Sequence, residues 1–220
     1  MDFETFEKIY RSRAIIYKML NLRGYSTNQF ESQTKEELNI LFQHHQKKIN
    51  YDVDSLDMHI KRDNNSVLVK YILSDRVKTN NLEKLVENIY ESTLENSDTL
   101  IIITKDNVLK TRDSNKGRSS FEEYLYRNYE TKKRFIQIFW LNSLLFDITQ
   151  HELTPEYKIL TEEEKQKVLE TYHITEDKMD YLIFTDPLAN FYGVRIGEVV
   201  EAKELSETNG FNIYYKLCIA

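Results

Sequence analysis

Residues 66–72 read SVLVKYI and residues 99–104 read TLIIIT, two short runs rich in apolar and β-branched side chains. Runs of this kind are typical of buried or half-buried strands. Between them, apolar side chains from Leu82 to Tyr90 recur every three or four positions, which predicts an amphipathic helix. Strand, helix and strand in this order predict a βαβ unit, so this part of the chain belongs to the α/β class.

Helices are predicted on the N-terminal side of this unit. Apolar residues at helical spacing predict a first helix over residues 3–22. A second helix begins with the capping-box pair Thr34 and Glu37 and runs to about Lys48. In the helix between the two strands, Asn80 is placed to cap the first turn.

On the C-terminal side of the unit, Phe121 begins another helical pattern, and residues 134–140 predict a further strand. The periodic pattern is lost from Phe146 to Pro155. Proline interrupts regular hydrogen bonding, so we expect a domain boundary near Asp147. The sequence therefore predicts two domains, residues 1–147 and residues 148–220.

The second domain is predicted to be a small α+β domain. Thr161 and Glu164 repeat the capping-box spacing ahead of an amphipathic helix, and residues 182–184 predict a strand. Asp186 precedes Pro187, the arrangement of an N-cap and a proline at the first helical position. That helix is expected to be one short turn.

A terminal β-hairpin is predicted to follow this short helix. The residues of the hairpin with alternating apolar character are Phe211, Ile213, Tyr215, Leu217 and Ile219. They follow a strand that begins at Val199, and a turn containing Asn209-Gly210, a pair suited to positive φ, separates the two strands. The chain should therefore end in a hairpin with one apolar face.

Charge is distributed unevenly along the chain. Its formal net charge is −6, which argues against a free-standing nucleic-acid binder. Residues 148–220 hold 14 acidic and 7 basic side chains, which leaves 22 acidic and 23 basic side chains for residues 1–147. Any direct contact with DNA is therefore expected from the first domain.

The sequence suggests no membrane, secretory or disulfide chemistry. The N-terminus is acidic, without the basic flank and apolar run of a secretory signal, and the strongest apolar run, Leu100 to Ile103, is too short to span a bilayer. One cysteine, Cys218, cannot form an internal disulfide. We expect a soluble, intracellular protein in a reducing compartment, with no membrane partner.

No cofactor or metal site is predicted. Metal sites on helices commonly use histidines spaced i, i+4 with a third ligand nearby, and no pair of that kind occurs on a predicted helix. The sequence also contains no glycine-rich loop that would hold a phosphate. The histidines are His44, His45, His59, His151 and His173.

The second domain contains an ordered series of motifs. They are His151-Glu152-Leu153-Thr154-Pro155, Asp186-Pro187 with Ala189, Phe191-Tyr192-Gly193, Gly197-Glu198-Val199-Val200, and Ser206-Glu207-Thr208 before Gly210. In order and spacing this series resembles the family of the common fifth subunit of eukaryotic RNA polymerases, which contains a shorter archaeal polymerase subunit as its C-terminal module.

A shorter match at the N-terminus resembles the eukaryotic form of the subunit, which extends beyond the archaeal protein. It consists of Arg11, Arg13, Met19-Leu20 and Arg23-Gly24-Tyr25. The chain departs from the family where Tyr157 replaces a frequent histidine, Asn190 replaces a frequent arginine and Glu204-Leu205 replace a basic stretch. These departures remove positive charge and suggest a divergent member, from a large DNA virus or a distant protist lineage.

The resemblance implies a non-catalytic core subunit of a multisubunit DNA-directed RNA polymerase. The first domain would form a jaw that resembles the restriction-endonuclease fold and holds downstream duplex DNA. The second would anchor the chain to the largest subunit, in contact with other core subunits. Transcription factors are further candidate partners, and the protein would act in the nucleus or, if viral, in the virion or a viral factory in the host cytoplasm.

The resemblance also assigns candidate site residues. Phosphate contacts are predicted from a polar, basic segment, although a solvated loop would have the same composition. Its cations are Lys105, Lys110, Arg112, Lys116 and Arg118. The assembly motif is His151, Glu152, Leu153, Pro155, Asp186, Pro187, Tyr192, Gly193, Arg195, Gly197, Ser206, Thr208, Gly210 and Tyr215.

Two alternative functions remain open from the sequence. One is an accessory or decoy protein that binds a polymerase without being incorporated. The other is an endonuclease, since Asp54, Asp57 and Asp63 precede Lys70 in a domain that resembles nucleases. Such enzymes place a metal-binding carboxylate two residues before the lysine, and Leu68 stands there. We therefore expect a structural strand, with Leu68 pointing inward and Val69 or Lys70 pointing outward.

Overall fold

A computed structural model describes residues 3–46, 55–62, 65–74, 77–108, 119–206 and 210–220. The chain divides into two compact units, Met1–Phe146 and Asp147–Ala220. In the part of the chain that the structure describes, no helix is long and apolar enough to cross a membrane.

The N-terminal unit contains a four-stranded mixed sheet in the order β1-β2-β3-β4. Strand β1 pairs antiparallel with β2, whereas β2, β3 and β4 run parallel. The strands are β1 (Met58–Arg62), β2 (Asn65–Ile72), β3 (Thr99–Thr104) and β4 (Phe135–Trp140). The parallel pairing of β2 with β3 across an intervening helix confirms the predicted βαβ unit.

Five α-helices accompany this sheet in the described residues. They are α1 (Phe3–Leu22), α2 (Asn28–Glu31), α3 (Lys35–Gln46), α4 (Thr79–Ser92) and α5 (Ser120–Lys132). The capping box ahead of α3 is confirmed, because the hydroxyl of Thr34 accepts the N–H of Glu37 and the Glu37 carboxylate accepts the N–H of Thr34. Helix α2 and strand β1 were not predicted.

Two local predictions in this unit are wrong. Helix α4 has Lys78 as its N-cap, with no side-chain cap, so Asn80 lies inside the first turn. Strand β2 is buried from Ser66 to Ile72, and Lys70 is only 4% exposed rather than pointing outward to solvent. Successive strand residues point to opposite sheet faces, so both faces of β2 are covered.

The C-terminal unit contains a second four-stranded mixed sheet, in the order β5-β7-β8-β6. Its elements are β5 (Glu156–Ile159), α6 (Glu162–Tyr172), β6 (Asp180–Ile183), α7 (Pro187–Tyr192), β7 (Val199–Ser206) and β8 (Gly210–Ile219). Strands β7 and β8 form the predicted antiparallel hairpin, and β6 pairs parallel with β8. Both sheets mix strand directions, so the protein is of the mixed α and β class.

Local hydrogen bonds explain where the helices of this unit begin. The hydroxyl of Thr161 accepts the N–H of Glu164, and the Glu164 carboxylate accepts the N–H of Thr161, so the predicted capping box is confirmed. The Asp186 carboxylate accepts the N–H groups of Leu188 and Ala189, at 2.9 and 3.0 Å, and confirms the predicted N-cap of α7. Strand β5 was not predicted.

Candidate functional site

The hairpin of the C-terminal unit divides its side chains between two sheet faces. Paired residues on antiparallel strands point to the same face. Leu205 pairs with Phe211, Lys203 with Ile213 and Val199 with Leu217, so these side chains share one face, which we call the outer face. Glu201 and Tyr215 pair on the same face, and the alternate residues of each strand, such as Val200 and Cys218, point to the other, inner face.

The inner face is the main core of the unit. Tyr157 of β5, Val200 of β7 and Cys218 of β8 pack there against Leu188 and Ala189 of α7. Burial raises the pKa of the Cys218 thiol to about 12, and the nearby carboxylates add to that effect. The thiol is therefore held protonated, and the side chain acts as a small apolar core group.

Helix α6 covers only the centre of the outer face. Val168 and Leu169 pack on a buried cluster that contains Val199, and Tyr215 and Leu217 of β8 join it. Burial and the neighbouring Glu201 carboxylate, which accepts a hydrogen bond from the phenol hydroxyl at 3.2 Å, together raise the pKa of Tyr215 to about 12. Tyr215, one of the predicted motif residues, thus helps to seat α6 on the sheet.

Beyond α6, the outer face exposes three large apolar side chains that we call the hairpin patch. Leu205, Phe211 and Ile213 are 67%, 54% and 53% exposed. The Lys203 ammonium lies 4.2 Å from the centre of the Phe211 ring and covers part of it. The alternation from Phe211 to Ile219 predicted one apolar face, but only the packing of α6 shows which part is left open.

Strand β6 exposes a second apolar area on the outer face. Tyr181 pairs with Leu217 and Ile183 with Ile219, and both β6 side chains are more than half exposed. Strand β6 stands at one end of the sheet order, so it has a sheet partner on one side. Exposed apolar side chains on an edge strand mark a surface suited to protein contacts.

Several motif residues shape the backbone rather than the surface. Gly193, Gly197 and Gly210 have φ angles of 75°, 91° and 77°, in the left-handed region that favours glycine. Gly193 ends α7, and Gly210 opens β8 beside Ser206, its partner in the ladder. Thr208 lies outside the described residues.

A network of polar contacts fixes the turn that precedes β7. The Glu198 carboxylate accepts the backbone N–H of Arg195 at 2.7 Å, and burial raises the pKa of Glu198 above its ordinary value. Lys165 of α6 lies 2.7 Å from the Glu176 carboxylate and donates to the carbonyl of Gly197 at 3.4 Å. The turn is thereby tied to α6.

The remaining motif residues lie at the beginning of the unit or on α7. His151, Glu152 and Leu153 are exposed, with Leu153 at 82%, and Pro155 is half-buried just before β5. Pro187 is exposed at the first position of α7. Tyr192 packs on the inner-face core, with its ring centre 5.7 Å from that of Tyr157.

Lys70, the lysine of the endonuclease alternative, lies in an ion pair in the N-terminal unit. The Lys70 ammonium lies 2.8 Å from the Asp57 carboxylate, and the two side chains are 5% and 15% exposed. Leu68 is also buried. The lysine is therefore engaged in a largely buried ion pair. Asp54 and Asp63 lie outside the described residues.

One predicted DNA-contact residue lies within the described residues. Lys105 follows β3 and is half-buried, and its carbonyl accepts the indole N–H of Trp140 at 2.9 Å. Lys110, Arg112, Lys116 and Arg118 lie outside the described residues. Within the described ranges, no group of three or more metal-ligating side chains comes together.

Comparison with known proteins gives one family match, over residues 146–218, to the family described as RNA polymerase Rpb5, C-terminal domain. The matched range contains the inner-face core, α6, the hairpin patch and β6. It therefore coincides almost completely with the C-terminal unit.

Individual relatives carry polymerase-subunit names. The chain is 26% identical over 219 residues to DNA-directed RNA polymerases I, II, and III subunit rpabc1 of Dictyostelium discoideum, covering 98% of this chain and 100% of that protein. It is 40% identical over 74 residues to DNA-directed RNA polymerase subunit Rpo5 of Thermococcus onnurineus, covering 34% of this chain and 90% of the archaeal protein. RPABC1 of Caenorhabditis elegans is 36% identical over 87 residues, or 40% of this chain and 41% of that protein.

Proposed function

Because this chain belongs to the Rpb5 family of DNA-directed RNA polymerase subunits, we propose that it is a non-catalytic core subunit of a multisubunit RNA polymerase. The match to the Dictyostelium subunit extends over nearly the whole of both chains, which supports an equivalent place for both units. RNA synthesis would belong to the large subunits, and this chain would serve assembly and the grip on DNA.

The C-terminal unit is proposed to anchor the chain to the largest subunit. The hairpin patch supports this role because three large apolar side chains lie together, exposed, on one face of the β7–β8 hairpin. Large apolar side chains that become buried on docking provide much of the binding energy of protein interfaces. Tyr181 and Ile183 would extend the contact along β6, and further core subunits and transcription factors are proposed as neighbours.

The N-terminal unit is proposed to act as a jaw beside downstream duplex DNA, and its resemblance to the restriction-endonuclease fold stays a prediction. Residues 1–147 carry 22 acidic and 23 basic side chains, so this part lacks the acidic excess of the C-terminal part. Lys110→Glu with Arg112→Glu should make the plot of log binding constant for DNA against log salt concentration less steep by about two units. One unit is lost for each phosphate that is no longer neutralised. An unchanged slope in the assembled polymerase would make the segment a solvated loop.

The Lys70–Asp57 ion pair supports a non-catalytic role for the N-terminal unit. A metal-dependent nuclease of this type needs a carboxylate two residues before its lysine to hold the ion and polarise water. Here Leu68 occupies that position and Lys70 is paired with Asp57. The match to eukaryotic subunits supports a nuclear site of action in a cellular organism. Viral origin, with action in the virion or a viral factory, stays a prediction.

Fragment capture tests the proposed division of roles. Residues 147–220 have their own buried core, and a 74-residue match covers 90% of an archaeal relative, so a fragment of this length is expected to fold. Fragments 1–146 and 147–220 would each be offered to the largest polymerase subunit of the same organism. We expect capture by fragment 147–220. Capture by fragment 1–146 alone, with a folded C-terminal fragment remaining free, would reverse the assignment.

A further inference from the structure

A groove with a volume of about 950 Å³ lies along helix α1 in the N-terminal unit. Its lining includes Arg11, Ala14, Lys18 and Leu22, which follow one another at spacings of three or four residues, and Ile15 beside Ala14. Residues at this spacing form one stripe along a helix. The stripe covers three turns, and its length is about 16 Å at 1.5 Å per residue.

This stripe is the face of α1 that the core of the unit leaves open. Ile9, Ile16, Met19 and Leu20 are fully buried and attach the opposite face of the helix to the unit. On the open side, Leu22 is 54% exposed. Leu38 of α3 and Leu145 add further apolar lining. The apolar lining on α1 therefore extends from Ala14 to Leu22 within a single unit, and Arg11 and Lys18 are the charged members of the stripe.

The rim of the groove is predominantly cationic. Arg11, Arg13 and Lys18 line it, against one acidic lining residue, Glu31. The Glu31 carboxylate accepts hydrogen bonds from Thr27 and Asn21, which lower its pKa. The groove thus presents more positive than negative charge, on a chain whose net charge is −6.

Hydrogen bonds hold one of these cations in place. Arg13 is 4% exposed; its Nε donates to the Tyr17 hydroxyl at 2.8 Å, and its Nη2 donates to the Gln33 side chain at 3.2 Å. Tyr17 in turn donates to the carbonyl of Phe30 at 3.1 Å. The wall beside the apolar lining is therefore preorganised, which reduces the entropy lost when a partner binds.

We propose that this groove binds an acidic amphipathic helix from a protein partner. Such a helix places apolar side chains at i, i+3 or i+4, and i+7, over about two turns, which matches the apolar lining from Ala14 to Leu22. Its flanking carboxylates would meet Arg11 and Lys18, and the buried charge of Arg13 would add to the positive potential beside them. The small side chain of Ala14 lies in the middle of the stripe and leaves room for a bulky apolar residue of the partner. The proposal is independent of the role given to the C-terminal unit.

A fluorescence-anisotropy titration of the full chain tests the proposal with designed probes. The main probe is a fluorescein-labelled, 16-residue helical peptide with Leu and Phe at the i, i+4 and i+7 positions and Glu beside them. Its length of about 24 Å is enough to span the whole stripe. A second peptide has Lys in place of every Glu, and a short labelled DNA duplex is the third probe. We expect the acidic peptide to bind at least tenfold more tightly than either other probe.

Two variants and two controls locate the binding. Ala14→Trp fills the groove and Arg11→Glu reverses a charge at its rim. Each substitution should raise the Kd of the acidic peptide at least tenfold. Asn88→Trp and Lys84→Glu introduce the same two side chains at exposed positions of α4 and should leave binding unchanged. Thermal unfolding of each variant checks its fold, and Arg11→Glu serves alone if Ala14→Trp does not fold.

Three results would overturn the proposal. One is acidic-peptide binding that is the same in parent, Ala14→Trp and Arg11→Glu. Another is equal binding of the acidic and lysine peptides, because charge complementarity then plays no part. The third is tighter binding of the DNA duplex that Arg11→Glu abolishes, which would make the groove a nucleic-acid contact.

Discussion

Removal of the hairpin patch should weaken incorporation into the polymerase without unfolding the chain. The variant is Leu205→Ala, Phe211→Ala and Ile213→Ala together. All three side chains are more than half exposed, so truncation leaves no large cavity in the core. Exposed substitutions of this kind usually change the free energy of unfolding by less than about 0.5 kcal/mol each. Truncation of Phe211 also removes its cation–π interaction with Lys203, which adds about 0.5 kcal/mol.

The expected loss of affinity follows from the area that each side chain still exposes. Full burial of Leu, Ile or Phe contributes about 1.5–3 kcal/mol. Since more than half of each remains exposed in the free subunit, docking would contribute about 1 kcal/mol for each of the three. The sum of about 3 kcal/mol corresponds to a roughly 100-fold weaker Kd.

Competition for the polymerase measures this loss directly. Tagged parent protein and untagged variant would be mixed with the remaining subunits during reconstitution, and quantitative mass spectrometry would give the incorporated ratio. Ile40→Ala is the matched control, because Ile40 is a 56% exposed aliphatic residue of α3 in the other unit. A folded triple variant that competes as well as Ile40→Ala would refute the assignment of the hairpin patch to docking.

Three further predictions concern Glu198, Lys70 and Gly210. Burial raises the pKa of Glu198, so the folded state favours the protonated carboxyl. The stability that this protonation contributes is fully present below the ordinary pKa of 4.5, and it is lost as the pH rises through the folded pKa. Glu198→Gln should gain stability relative to the parent across that range, and a pH-independent difference in unfolding free energy would contradict this. Lys70→Ala should cost about 3 kcal/mol in denaturant unfolding because it removes the ammonium that faces the largely buried Asp57 carboxylate, and the parent should cleave no DNA with Mg²⁺ or Mn²⁺. Cleavage that Lys70→Ala abolishes would instead indicate an active site. Gly210→Val should lower the free energy of unfolding by about 1–2 kcal/mol because φ at this position is +77°, and Gly210→Asn should lower it less. Equal denaturant midpoints for the two variants would exclude backbone strain as the cause.

Local chemistry made the starts of α3, α6 and α7 and the hairpin predictable. The capping boxes at Thr34 and Thr161 depend on residues three positions apart, so the sequence contains both partners of each hydrogen bond. Asp186 before Pro187 is equally local. Gly210 has the positive φ that its place after Asn209 indicated.

Features that depend on distant partners were not predictable in the same way. Strands β1 and β5 stand at sheet edges and mix polar with apolar residues, so no apolar run marks them; pairing with a neighbouring strand stabilises them. Lys70 is buried because Asp57, 13 positions earlier in the chain, supplies the opposite charge.

The candidate site shows the same division between local and distant causes. Alternation placed Phe211 and Ile213 on one sheet face, which the strand register confirms. Their exposure depends on how far α6 extends over that face, which is decided by the packing of Val168 and Leu169. The sequence could therefore indicate the face but not the part of it left open.

The stoichiometry of the purified complex tests most directly whether this chain is a core polymerase subunit. The tagged full chain would be recovered from its own cells or virions, washed at high salt and quantified against the largest polymerase subunit. A core subunit should remain equimolar with the largest subunit throughout the wash, because its anchor is apolar and salt does not screen apolar contacts. Substoichiometric recovery that high salt abolishes would contradict the account and favour an accessory protein that binds the polymerase without being incorporated.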